Sequence, residues 1–179
     1  MARSETRRLI LLRHAKSDRP AGIRDLDRPL NPRGRRAAPL VGAYMAGEGL
    51  APDHVLVSPS QRTRETWEAV AESLGHPPHK VAQDIYEAPV ESLLAVIRAA
   101  PDEARTLLVI GHNPGLQDLA VHLVGDGPKD LCRRLSAEFP TAALAVIDIP
   151  AEAWAGIGAG TGRLERFVRP RDILGEEAA

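Results

Sequence analysis

The sequence has little cysteine and few aromatic residues, and each scarcity excludes a class of protein. Cys132 is the only cysteine in 179 residues, so neither an intrachain disulfide nor a cysteine-based zinc site can form. A single cysteine fits a reducing compartment, and we expect a cytoplasmic protein. Aromatic residues make up only 3% of the chain, which argues against stacking platforms for single-stranded nucleic acid and requires an aliphatic core.

The chain also lacks an excess of either charge. Lys plus Arg is 23 and Asp plus Glu is 24, so the net charge is −1. Such a balance is not typical of proteins that coat nucleic acid or an anionic membrane. The apolar run Leu9–Leu12 is far too short for a signal peptide or a membrane span. With 44% hydrophobic residues, the length predicts one globular domain over residues 1–179.

Strand-like and helix-like segments alternate along most of the chain. Buried strands are predicted at 9–12, 55–57 and 106–110, a weaker strand at 80–82, and helices at 37–49, 58–74, 90–100 and 114–124. Two further strands, at 142–149 and 163–168, have no helix between them. We therefore predict an α/β fold, a three-layer α/β/α sandwich whose central sheet is mostly parallel with an antiparallel edge strand.

Basic side chains and imidazoles follow the buried strands directly. Arg13 and His14 follow the first strand, and His112 follows the strand at 106–110. Ser58 follows the second strand and is predicted to cap the next helix, which carries Arg62. Since ligands bind beyond the carboxyl ends of parallel strands, we expect these side chains to share one rim. Arginine forks and imidazoles there predict a phosphate site.

Three motifs in this order resemble those of the histidine phosphatase superfamily, the phosphoglycerate mutase-like proteins. They are Leu11-Leu12-Arg13-His14-Ala15, Ser58-Pro59-Ser60-Gln61-Arg62-Thr63 and Gly111-His112-Asn113-Pro114. The resemblance implies a phosphoglycerate mutase-like fold with His14 as the phosphorylated nucleophile. It also implies that Arg13, Arg62 and His112 hold the phosphoryl oxygens.

Details of the first motif resemble the short SixA-type phosphohistidine phosphatases. Ala15 stands where most of the superfamily has glycine, and the run Asp27-Arg28-Pro29-Leu30-Asn31 followed by Arg33-Gly34 is similar to that branch. Its members lack the insertions that cover the pocket in larger relatives. The resemblance therefore implies an open pocket that can admit a phosphorylated side chain of another protein.

Two further residues are candidates with plain alternatives. Glu87 falls where the wider superfamily carries the acid that protonates the leaving group, but it is equally a solvated glutamate before a helix. Arg28 is either an outer phosphate contact or a loop arginine that pairs with Asp25 or Asp27. We expect Arg13 and Arg62 to lower the pKa of His14 and keep it nucleophilic. Neither a metal nor another cofactor is expected.

Three functions follow as hypotheses from these residues. The first is a metal-independent phosphatase that works through phospho-His14, with protein phosphohistidine as substrate. The second is a phosphatase of a small phosphate ester, and the third is a phosphate-binding regulatory domain without catalysis. No nucleic acid or membrane partner is expected, and the sequence leaves the oligomeric state open.

Overall fold

A computed structural model describes residues 5–174 as one seven-stranded sheet between two helical layers. The predicted domain ends at residues 1 and 179 lie outside the described residues. The strands are β1 (Thr6–Arg13), β2 (His54–Val57), β3 (His79–Val81), β4 (Thr106–Gly111), β5 (Val124–Asp126), β6 (Leu144–Pro150) and β7 (Gly162–Val168). The helices are α1 (Pro32–Gly47), α2 (Gln61–Leu74), α3 (Val90–Arg98), α4 (Gly115–Leu123), α5 (Lys129–Ala137) and α6 (Pro170–Leu174).

The strand order is β3-β2-β4-β1-β6-β7-β5, and this sheet confirms the predicted α/β fold. β3, β2, β4 and β1 pair in parallel with one another, while β6 pairs antiparallel with both β1 and β7. The antiparallel strand is therefore inside the sheet, and its predicted position at the edge is wrong. The reason is that β6 is buried on both faces, and β7 and the short β5 extend the sheet beyond it.

Two aliphatic clusters cover the two faces of the sheet, as the three-layer prediction requires. Along β1, Leu9 and Leu11 pack with α3, α4 and α5, whereas Ile10 and Leu12 pack with α1 and α2. All four side chains are fully buried. This alternation follows from the two-residue period of a strand, and a strand with both faces covered is apolar throughout. None of the described helices is long and apolar enough to cross a membrane.

Two helix starts differ from the sequence predictions in a way that shapes the site. Ser60, not Ser58, caps α2, where its Oγ accepts the Thr63 N–H. Ser58 is still extended, because its N–H continues the pairing with β4 by donating to the Ile110 carbonyl. α4 begins at Gly115, one residue later than predicted, after a cis Asn113–Pro114 peptide.

The start of α1 lies directly against the segment that follows β1. Asn31 caps the helix by accepting the Gly34 N–H, and the Asn31 N–H donates to the Lys16 carbonyl. A Cβ at Gly34 would lie 2.1 Å from the Lys16 oxygen. Only glycine permits this approach, so the Asn31-Pro32-Arg33-Gly34 run holds the segment after His14 in place.

Replacement of Gly34 by alanine should therefore destabilise the protein, because the new methyl group meets backbone that cannot move aside. We expect a loss of about 1–3 kcal/mol in the free energy of unfolding, as for other overpacked sites. Gly47→Ala in the same helix is the matched control, since a Cβ there meets nothing within 4 Å. Urea unfolding of both variants measures the difference; equal stability of the two would contradict the account.

Candidate active site

The carboxyl ends of β1, β2 and β4 place three predicted residues at one rim of the sheet. Arg13 lies opposite Gly111 in the parallel β1–β4 pair, and the His14 N–H donates to the Gly111 carbonyl. His14 and His112 therefore follow neighbouring strands at the same level. Their ring centroids are 5.3 Å apart with the planes tilted by 56°.

The two ring nitrogens of His14 have different roles, since one is hydrogen-bonded to the backbone and the other has its lone pair available. Its Nδ1 lies 2.8 Å from the Ala15 carbonyl oxygen, an acceptor, so Nδ1 carries the proton of the neutral ring. Nε2 is then the nitrogen with the lone pair, on a ring that lines the main cavity of the site. The chain fixes this geometry locally, since the Ala15 N–H donates to Thr66 Oγ1 in α2.

His112 is held by Ser58 and faces Arg62. Its Nε2 lies 2.7 Å from Ser58 Oγ, and its Nδ1 lies 3.4 Å from Nη2 of Arg62. Ser58 can donate to Nε2 or accept from it, so the ring keeps its orientation in either tautomer. Ser58, at the start of the second motif, thus supplies a partner for His112 rather than a helix cap.

Arg62 and Arg13 reach the site from opposite sides. Arg62 lies in the first turn of α2 and is 5% exposed, while Arg13 is half-buried at the end of β1. Nη1 of Arg13 donates to the Phe139 carbonyl at 2.9 Å. The Nε atoms of both arginines are buried without a hydrogen-bond partner in residues 5–174. Both residues line one cavity, where planar guanidinium groups match the oxygens of a phosphoryl group.

Asp25 joins this cluster, and the sequence indicated it only as a partner for Arg28. Its carbonyl accepts from Arg62 Nη1 at 2.7 Å, and its Oδ2 accepts from Arg62 Nη2 at 3.0 Å. Its Oδ1 accepts from Arg28 Nη1 at 2.9 Å. The Tyr86 hydroxyl also donates to Oδ2. The predicted pairing of Arg28 with Asp25 is therefore present, and Tyr86 is a neighbour that the sequence did not indicate.

The predicted residues line one cavity of about 690 Å³. His14, Arg13, Arg62 and His112 lie on its wall, and Arg28 and Glu87 lie there too. Glu87 is exposed and has a left-handed backbone with φ of 52°. Further charged groups on the wall are Lys16, Arg19, Asp25 and Asp118. Across residues 5–174, no three His, Cys, Asp or Glu side chains gather as a metal site would require.

Both histidines are kept neutral by their surroundings. Burial lowers the pKa of His14 to about 3, and the positive charges of Arg62 and Arg13 contribute after it. Burial also lowers the pKa of His112 to about 4, followed by the charge of Arg62. The direction agrees with the expectation from the sequence. Its largest cause is loss of hydration, not the arginines, because a buried imidazolium loses water contacts.

Comparison with known proteins shows which family has a similar sequence. The family model described as histidine phosphatase superfamily (branch 1) matches residues 9–93. A protein of Mycobacterium tuberculosis without an assigned function is 38% identical over 162 residues, which is 89% of this chain and 100% of that protein.

Two solved structures extend the likeness over nearly the whole chain. One, from Nakamurella multipartitia, carries the provisional name phosphohistidine phosphatase SixA; it has a TM-score of 0.82 and 31% identity, and covers 92% of this chain and 96% of that one. The other is the protein histidine phosphatase SixA complexed with tungstate. It has a TM-score of 0.74 and 25% identity, and covers 91% and 97% of the two chains.

The chain belongs to the histidine phosphatase superfamily. Within it, the likeness lies with the SixA-type branch, as the motif around Ala15 indicated.

The low pKa values of His14 and His112 predict their titration behaviour. In phosphate-free buffer, both rings should stay neutral from about pH 8 down to about pH 5, whereas a histidine peptide takes up its proton near 6.5. Ring NMR of histidine-labelled protein measures this, with His14→Asn and His112→Asn to assign the signals. Added inorganic phosphate should raise both pKa values, because a nearby anion favours the imidazolium. Protonation of either ring near pH 6.5 without phosphate would contradict the burial argument.

Proposed function

We propose that this protein is a phosphatase that works through a covalent phospho-His14 intermediate without a metal, and that its substrate is a phosphohistidine of another protein. Membership of the superfamily and the phosphatase-named neighbours support the phosphatase activity itself. The roles of individual residues and the choice of phosphohistidine are the proposal.

The tautomer of His14 carries the proposal. A histidine attacks phosphorus only with a free lone pair, and the contact of Nδ1 with the Ala15 carbonyl leaves that lone pair on Nε2. The low pKa keeps the ring neutral at physiological pH. Attack forms the Nε2–P bond and releases the leaving group, and water then hydrolyses the phosphohistidine. One difficult hydrolysis is thereby divided into two easier steps.

Arginine supplies the positive charge that the transferring group needs. Arg13 and Arg62 line the same cavity as the two histidines, and Arg28 stands next to Arg62 across Asp25. Fixed donors of this kind stabilise charge on the equatorial phosphoryl oxygens as the group moves between nucleophile and leaving group. His112, held by Ser58, lies beside Arg62, whose Nη2 donates to its Nδ1.

The choice of a protein substrate rests on the mouth of the cavity. Lys16, Arg19, Asp25 and Glu87 on its wall are exposed side chains, so the wall continues into the protein surface. A histidine on a partner protein could extend its ring into such a site. The likeness to proteins named SixA supports the same choice. The role of Glu87 as the acid for a leaving oxygen stays a prediction, because an imidazole leaves without that help.

His14→Ala should abolish turnover, with a loss of about 10³-fold or more in kcat for loss of the nucleophile. Phenyl phosphate hydrolysis measures the rate, and rapid quenching should trap an acid-labile, alkali-stable phosphoryl label on the wild-type protein but not on His14→Ala. His122→Ala is the control, since His122 lies at the solvent-exposed end of α4. Full activity of His14→Ala would refute the mechanism, and phosphate binding without any label would favour a non-catalytic domain.

A substrate panel tests the choice of phosphohistidine. A histidine-containing phosphotransfer protein, phosphorylated chemically with phosphoramidate, should be hydrolysed with a kcat/KM at least about tenfold above sugar phosphates and nucleotides. The reason is that the imidazole leaving group needs no acid, whereas an alkoxide does. Inorganic phosphate release measures all of them in one assay. A metabolite with the higher kcat/KM would establish the small-ester alternative.

A further inference from the structure

Asp25 stands on the outer side of the site, where a leaving group must lie. His14 and Arg62 are 6% and 5% exposed and form the floor, whereas the Asp25 side chain is 44% exposed. In phosphoryl transfer the attacking and leaving atoms are roughly in line through phosphorus. A nucleophile on the floor therefore places the leaving group towards the mouth, on the side of Asp25.

The position of Asp25 is fixed independently of any substrate. Arg62 holds both its carbonyl and its carboxylate, Arg28 holds Oδ1, and the Tyr86 hydroxyl donates to Oδ2. The hydrogen bond from Tyr86, followed by those from Arg28 and Arg62, keeps the pKa of Asp25 well below its usual range. Asp25 is thus a carboxylate at neutral pH and has no proton to give to a leaving group.

A fixed negative charge there has opposite effects on two kinds of leaving group. The leaving oxygen of a phosphate ester develops negative charge, which the carboxylate repels. The ring of a phosphohistidine binds a proton on its second nitrogen near neutral pH and is then a cation. When His14 Nε2 attacks, the P–N electrons return to the ring, and a neutral imidazole departs with the proton it already held. No separate proton transfer is needed.

We propose that Asp25 is a specificity-determining residue that accepts a hydrogen bond from the protonated imidazole ring of the substrate and so selects phosphorus–nitrogen over phosphorus–oxygen substrates. The inference rests on the proposed function and explains its substrate class. By this contact Asp25 lowers KM for the cationic form and keeps the bound ring protonated at higher pH. It also weakens the binding of phosphate dianions, with which it competes for Arg62 and Arg28.

Both kinds of substrate meet the same ionisable groups around Asp25. Arg28, Arg62 and Tyr86 contact it, and His112 lies beyond Arg62. The remaining ionisable groups on the cavity wall are Arg13, His14, Lys16, Arg19, Glu87 and Asp118. Asp25→Asn removes the negative charge and keeps the backbone carbonyl contact to Arg62. Its side-chain amide has a single acceptor oxygen, so it keeps either the contact from Arg28 or those from Arg62 and Tyr86. The loss of these contacts affects both substrates, whereas the loss of charge distinguishes them.

The test compares phosphoimidazole with phenyl phosphate. In Asp25→Asn, kcat/KM for phosphoimidazole should fall about tenfold further than kcat/KM for phenyl phosphate, and the difference should lie mainly in KM. The alkaline limb of kcat for phosphoimidazole should move to lower pH, since that limb reports the enzyme–substrate complex. Inorganic phosphate should inhibit the variant more strongly. Asp27→Asn is the control, because Asp27 lies in the same turn but pairs with Arg24.

An equal loss for both substrates with an unmoved alkaline limb would show that Asp25 only holds the arginines, and it would overturn the inference. Tyr86→Phe gives a second route if Asp25→Asn does not fold. It removes one donor from Oδ2 of Asp25 while Arg28 and Arg62 still hold the charged carboxylate, so the preference for phosphoimidazole over phenyl phosphate should rise, and an unchanged or lower ratio would count against the inference. A wild-type protein inert to phosphoimidazole but labelled on His14 by phenyl phosphate overturns the inference and the phosphohistidine assignment alone. Absence of any His14 label overturns the proposed mechanism instead.

Discussion

The parallel pairing of β4 with β1 on one side and β2 on the other is the constraint on which the site depends. The register sets Arg13 opposite Gly111 and Val57 opposite Ile110, so the three strands end at one level. Backbone hydrogen bonds continue the pairing one residue beyond each end, from His14 to Gly111 and from Ser58 to Ile110. A slip of one residue would turn His14 away from the rim and into a helical layer, because side chains alternate between faces.

The pairing also dictates the electrostatics of the site. A rim residue that follows a strand buried on both faces is itself buried, and burial is the largest cause of the low pKa of both histidines. Below about pH 6.5 these two histidines bind protons in the unfolded chain but stay neutral in the folded protein. The free energy of unfolding therefore decreases as pH falls from about 6.5 towards the pKa values of the folded state. The fold is therefore less stable in acid because it holds two neutral histidine rings next to arginine.

Much of the site was predictable because its residues follow periodic elements. The apolar runs of β1, β2 and β4 are continuous, and the rule for parallel strands then brings Arg13, His14 and His112 to one rim. Short, polar secondary-structure elements such as β5 were not predicted. β5 is a three-residue strand containing glycine, so nothing in its pattern distinguishes it from a loop, and its absence from the prediction contributed to placing the antiparallel strand at the edge.

Asp25 and Tyr86 show more clearly which site residues sequence patterns do not predict. Each lies in or beside a single turn of 3₁₀-helix, Asp25–Asp27 and Gln83–Ile85, far apart in sequence, and no periodicity connects them. Only the described structure brings Tyr86 to the carboxylate that Arg62 and Arg28 already hold.

The same contacts explain how a strongly basic site persists in a chain of net charge −1. Arg62 and Arg28 share one carboxylate, which neutralises part of their charge before substrate binds and keeps the two guanidinium groups from repelling each other apart. In the proposed function, a phosphoryl group enters a site whose donors are already positioned, at the cost of competing with Asp25. That cost is least for a substrate that brings a positive charge of its own, so the organisation of the arginines and the proposed preference for a cationic leaving group would follow from one interaction.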